Sequence, residues 1–309
     1  MTGPVRILLL GATGFLGRHA AERLRALPGA LVLEGGRSPR AAFPLDLAAT
    51  CPDRLISVVR GAAPDAVVNC AGAVGGSALT LTGVNARGPA LLCEALHAAA
   101  PDARLVHLGS AAEYGPADGH RPAAEAGPAR PAGLYGASKL AGTLAVTGSG
   151  LDAVVLRVFN PVGPGAPAAS LPGRLAAAPR AAGPDGRVKT GDLSAYRDFV
   201  DVRDVAEAVA RAVTAPRPLP AVLNVGSGTA RLVRDVAEGL LRAGGFTGDV
   251  GERVDEQGDG SPRSAAVPWQ QADTTAVTRS LGWTPRRSLE ESLADLWAEV
   301  RDRPEEYVR

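Results

Sequence analysis

At 309 residues the chain exceeds the usual single core and has room for one large α/β unit or a main domain with a smaller partner. A formal net charge of +1, with 46% hydrophobic residues, gives no field that would recruit nucleic acid or an anionic membrane, so a small-molecule partner is expected. Cys51, Cys70 and Cys93 are an odd set without CxxC spacing, so neither a disulfide framework nor a zinc site is indicated and no metal is expected.

The chain runs from Met1 straight into a strand-like Val5-Arg6-Ile7-Leu8-Leu9-Leu10, and no apolar run reaches the roughly 18 residues of a membrane span. A cytoplasmic protein without export or anchoring is the expectation. Next, Leu16, Ala20, Leu24 and Leu27 share one face of a helix over 15–27 that Pro28-Gly29 ends. Compact apolar runs at 30–33, 66–69, 104–108, 154–159 and 222–225 read as strands buried on both faces. Such strands alternating with amphipathic stretches predict a doubly wound parallel sheet of the Rossmann kind.

Two regions break the rhythm. Residues 115–133 are rich in Pro, Gly and Ala and read as a surface excursion over a cleft. Between 161 and 191 six prolines, from Pro161 to Pro184, are expected to limit helices to short pieces. A helix over 289–300 closes the chain. The predicted organisation is a dinucleotide-binding domain at 1–160, completed by about 198–226, and a smaller substrate-binding lobe from 161–197 and 227–309.

The first strand feeds into Gly11-Ala-Thr13-Gly14-Phe15-Leu16-Gly17 and then a helix. Glycine at such a turn permits backbone proximity that a Cβ would forbid, and the helix N-terminus offers unpaired N–H groups to a pyrophosphate. The spacing is GxxGxxG, not GxGxxG. After strand two comes Glu34-Gly35-Gly36-Arg37-Ser38, where Arg37 and Ser38 suit the 2′-phosphate of NADP, while Glu34 leaves NAD open. Asp46, beside Leu47, is a candidate acceptor for the adenine amino group.

Tyr135-Gly-Ala-Ser-Lys139 places a phenol and an ammonium four residues apart, on one face of a helix. An ammonium stabilises a neighbouring phenolate, so the pair can pass a proton to or from a sugar or alcohol oxygen. Ser110 follows an apolar strand at its carboxyl end, where doubly wound sheets bind ligands, and can share that oxygen.

These features together resemble the extended short-chain dehydrogenase/reductase family, in particular its nucleotide-sugar epimerases, dehydratases and 4-ketoreductases. The likeness covers nearly the whole chain. It includes Asn69-Cys70-Ala71-Gly72, Val84-Asn85-Ala86-Arg87-Gly88, Gly109-Ser110-Ala-Ala-Glu-Tyr114-Gly115, Arg157-Val-Phe159-Asn160-Pro161, Tyr196-Arg197-Asp198-Phe199-Val200-Asp201 and Leu281-Gly282-Trp283. The resemblance implies Tyr135 as acid/base, Lys139 as the group that lowers its pKa and holds the nicotinamide ribose, and Ser110 as substrate orienter. It places Cys70, Ala71, Gly72, Asn85 and Phe159 at the cofactor, and Ala111, Asn160, Arg197 and Arg263 at a nucleotide-diphosphate sugar.

The dehydratases of this family carry an Asp-Glu pair after the Ser/Thr. Ala111 and Ala112 stand there, and Glu113 falls one place late. The stretch from Gly191 to Asp204 most resembles GDP-4-keto-6-deoxymannose reductases, so reduction of an NDP-4-keto-6-deoxyhexose with NADPH is expected. An NAD-dependent C4 epimerase is the second reading, and a non-catalytic dinucleotide-binding regulator the third. Homodimerisation through the helix at 85–99 and the one opening at Tyr135 is the expectation for proteins of this type.

Overall fold

The computed structural model describes residues 4–182, 186–252 and 267–303. Apolar runs become strands and the stretches between them helices: β1 (Val5–Leu10), α1 (Phe15–Arg25), β2 (Ala30–Gly36), β3 (Phe43–Pro44), α2 (Pro52–Ala62), β4 (Ala66–Asn69), α3 (Ala78–Thr82), α4 (Gly88–Ala99), β5 (Arg104–Ser110), α5 (Leu134–Thr147) and β6 (Ala153–Val158). There follow β7 (Pro161–Val162), α6 (Leu171–Ala182), β8 (Arg187–Thr190), β9 (Tyr196–Asp198), β10 (Val200–Asp201), α7 (Val202–Thr214), β11 (Val222–Val225), β12 (Ala230–Leu232), α8 (Val233–Ala243), β13 (Asp249–Glu252), α9 (Thr275–Leu281) and α10 (Leu289–Asp302).

Seven strands form one parallel sheet in the order β11-β6-β5-β4-β1-β2-β3. Because β2 and β3 lie on one side of β1 and β4 on the other, the winding reverses at β1, and the carboxyl ends of β1 and β4 border a crevice. Both faces of the sheet are covered. Ala20, Ala21 and Leu24 of α1 and Val205 and Val209 of α7 bury one, while Leu55 and Val59 of α2 and Leu92 and Leu96 of α4 bury the other.

A separate apolar cluster joins α6, α8 and α10 through Leu175, Ala176, Val236, Leu240, Leu293 and Leu296, with Val188 and Phe199. The tail does not belong wholly to it. Val277, Leu281 and the fully buried Trp283 pack into the sheet-side core instead. Prolines also limit α6 less than their number predicts: Pro172 falls in its first turn, where no N–H is needed, and the helix continues through Pro179 to Ala182.

Three aspartates at three-residue spacing tie this tail down. Asp198 accepts from Ser227 N and Oγ (2.6 and 2.7 Å), Gly228 N (2.9 Å) and Ala272 N (3.0 Å). Asp201 caps α7 at Arg203 N and accepts from Ser292 Oγ of α10 at 2.7 Å. Asp204 accepts from Arg286 N and Arg287 N, and its carbonyl takes the Trp283 indole N–H at 2.9 Å. Trp283→Ala is expected to lower stability by about 3–5 kcal/mol, read as a fall in the urea midpoint.

Candidate active site

Gly11 adopts φ +82°, and a Cβ there would stand 2.7 Å from Ala71 N in the loop after β4. A Cβ at Gly17 would meet Gly11 O at 2.0 Å. These glycines let three backbone segments close on one another at the winding reversal. Gly14 is the N-cap of α1 and makes no side-chain cap bond, and the first turn holds no acidic residue. Its free N–H groups and the positive end of the helix therefore face the crevice, a cradle suited to a pyrophosphate.

The crevice opens into a cleft of about 990 Å³ at the carboxyl ends of the strands. Gly14, Phe15, Leu16, Cys70, Ala71 and Gly72 line its dinucleotide side, and Ser110, Ala111, Tyr135, Lys139, Asn160 and Arg197 line the remainder. Residues expected from six separate segments thus meet in one cavity. Tyr135 and Lys139 lie one turn apart on α5. Lys139 is buried with its ammonium on Leu108 O, and burial lowers its pKa to about 8 against the opposing pull of Glu113. Ser110 Oγ accepts from Ala112 N at 3.2 Å, which leaves its proton to be donated into the cleft.

Other expected contacts fall elsewhere. Asn85 sits in a π-helical turn over Gly83–Arg87, just before α4, and its buried amide is spent on structure. It accepts from Ala73 N (2.9 Å) and donates to Ala73 O (2.8 Å) and Ser138 Oγ (3.0 Å), so it clamps the loop after β4 onto α5 and does not line the cleft. Phe159 is fully buried beside Tyr114. Asp46 caps Ala48 N at 2.9 Å, and Leu47 packs in the core under Gly88. Thr13 and Arg37 are exposed, with Arg37 and Ser38 just beyond the end of β2. Arg263 lies outside the described residues.

Ala111 and Ala112 line the cleft where a dehydratase would need carboxyl groups, and Glu113 is turned into the protein. The far wall includes two residues that no motif announced. Gln270 donates to Ala111 O at 3.1 Å and accepts from Asn160 Nδ2 at 3.3 Å, and Arg174 of α6 reaches the rim while donating to Ala169 O at 2.8 Å. Gln270 arrives from 159 residues away, a distance that local pattern cannot bridge. Arg197 is buried at the same wall, and desolvation lowers its pKa.

A Rossmann sheet with a glycine cradle and a Ser-Tyr-Lys set in one cleft defines a dinucleotide-dependent oxidoreductase. The chain belongs to the NAD dependent epimerase/dehydratase family, the extended short-chain dehydrogenase/reductases, whose model matches residues 7–226. It is 39% identical over 310 residues to a dTDP-6-deoxy-L-talose 4-dehydrogenase (NAD(P)(+)) of Kitasatospora kifunensis, with 96% of each chain covered. Among solved structures it is similar to MoeE5 in complex with UDP-glucuronic acid and NAD (TM-score 0.81, 28% identity, 96% of this chain and 99% of that one). It is also similar to RMD from Pseudomonas aeruginosa complexed with NADPH (TM-score 0.81, 25% identity, 96% and 99%).

Two glycines at positive φ separate backbone conformation from crowding. Gly29→Ala, at φ +71° with no atom within 4 Å of its Cβ position, is expected to cost about 1 kcal/mol. Gly11→Ala is expected to cost clearly more, because its Cβ meets the loop after β4; paired urea titrations read the difference.

Proposed function

We propose that the protein is a nucleotide-sugar 4-ketoreductase that reduces the C4 carbonyl of an NDP-4-keto-6-deoxyhexose with NADPH. The observation that carries this reading is a Ser110-Tyr135-Lys139 set in one cleft with alanines where dehydration needs an acid and a base. The similar Kitasatospora enzyme, named for oxidoreduction at C4 of a 6-deoxy sugar nucleotide, supports the same position and substrate class.

When bound, the nicotinamide supplies the hydride. The chain's own residues do the rest. Tyr135 gives its proton to the developing C4 alkoxide, Ser110 donates a second hydrogen bond to that oxygen, and the Lys139 ammonium stabilises the phenolate left behind. Arg197 is assigned to the diphosphate by charge-assisted hydrogen bonding, with Asn160 beside it.

NADPH is favoured by the end of β2. Glu34 is ion-paired with Arg25, which leaves its carboxylate engaged, whereas the exposed Arg37 and the Ser38 hydroxyl, just beyond β2, suit a 2′-phosphate. Homodimerisation through α4 and α5 is part of the proposal, supported by Leu144 of α5 standing 62% exposed.

Tyr135→Phe is expected to lower kcat by about 10²–10⁴ while NADPH binding persists, and undiminished turnover would remove the assignment. Arg37→Ala is expected to raise KM for NADPH by roughly 10–100-fold and leave that for NADH unchanged. Stoichiometry tests the reaction itself: a reductase consumes one NADPH per product, and turnover without net consumption would instead establish C4 epimerisation.

A further inference from the structure

The carboxylate one place too late for dehydration is built into the catalytic end of β5. Gly109 leaves the space it fills, since a Cβ there would stand 2.7 Å from Glu113 Oε1 and 3.2 Å from Arg157 Cγ. Glu113 is wholly buried and accepts the Ser110 N–H at 2.7 Å through one oxygen and the Arg157 Nε–H at 2.8 Å through the other. On the other side of Gly109, Lys139 Nζ donates to Leu108 O. An anion and a cation thus grip the peptide groups flanking Gly109, and the residue they hold between them and the cleft is Ser110.

Buried cations need a partner, and the site has two. Arg157 lies on β6 and stacks over the Tyr114 ring at 4.5 Å. Around Lys139 stand Cys70 from the loop after β4, His107 from β5, Glu113 from the turn after β5, and Tyr135 one turn earlier on its own helix. Burial pushes the Cys70 thiol up to about 12 and holds His107 well below its ordinary value, so neither carries charge at neutral pH. Among these described neighbours Glu113 supplies the buried negative charge.

We propose that Glu113 is a positioning residue of the reaction: its carboxylate is the buried counter-charge across Gly109 from the Lys139 ammonium, and its hydrogen bond to the Ser110 N–H aims the Ser110 hydroxyl. This rests on the reading of Ser110, Tyr135 and Lys139 as the reacting set. The sign follows from Lys139, whose ammonium is present below about pH 8 and lost above it. Removing a neighbouring negative charge makes the proton leave at lower pH still.

Glu113→Gln keeps an acceptor for the Ser110 N–H and removes the charge. The alkaline limb of kcat is expected to move down by about one pH unit, lowering kcat on that limb about tenfold, with KM for the sugar nucleotide within about twofold of wild type. The same downward shift is expected in the pH dependence of NADPH affinity, read from cofactor fluorescence without turnover. Adding Arg157→Met removes the cation left unpaired; the melting temperature then recovers while the limb stays low. If the single variant does not fold, this double variant carries the test. A limb at the wild-type position in both readouts overturns the proposal, as does a limb that returns together with the melting temperature. A wild-type enzyme that reduces no 4-keto sugar, with the affinity shift present, overturns the substrate reading alone.

Discussion

The return of the chain's last third onto the sheet depends on carboxylates that accept hydrogen bonds, most of them from backbone N–H groups, across long stretches of sequence. Asp198 collects donors from the turn after β11 and from Ala272, and a buried carboxylate with four donors replaces much of the hydration it lost. Arg197 precedes Asp198 in the chain, and Gln270, two residues before Ala272, bridges to Ala111. One wall of the cleft is therefore made by residues far apart in sequence, joined by this aspartate and by backbone bonds from Tyr196 N to Pro268 O and from Gln270 N to Tyr196 O. Asp201 and Asp204 repeat the device further on, pinning α10 and the segment after α9.

The sheet was legible because its strands are buried on both faces and so are written as uninterrupted apolar runs; β1, β4 and β11 lie at the residues those runs predict. Helix α6 was obscured by prolines whose effect depends on position in the helix, which composition does not reveal. The site divided in a similar way. Residues that line the cleft through backbone or short loops, such as Gly14 and Ala71, carry local signatures. Asn85 and Gln270 do not, because their roles depend on which loop lies opposite once the chain has folded. Asn85 also shows that membership in a motif does not fix what a residue does, since it supports the loop that lines the cleft and stays out of the cleft itself.

Charge at this site is arranged in depth. Nearest the cleft stands an ammonium weakened by burial, behind it a carboxylate, and behind that a guanidinium whose face is covered by an aromatic ring. Any one of these ions alone would be costly so far from water. Together they make a polar column through the end of the sheet, continued by Tyr114 donating to Asn224 at 2.7 Å and by Asn224 donating to Ala123 O. The excursion between β5 and α5 is thereby moored to the side of the sheet opposite the dinucleotide cradle.

The sulfur on the dinucleotide side of the cleft has a chemical consequence of its own. With its proton held up to about pH 12, Cys70 presents almost no thiolate under physiological conditions, so alkylating agents and peroxides find little to attack there. The residue serves as a compact, unreactive part of the cleft floor, its sulfur kept in the thiol form by the same burial that weakens the neighbouring ammonium.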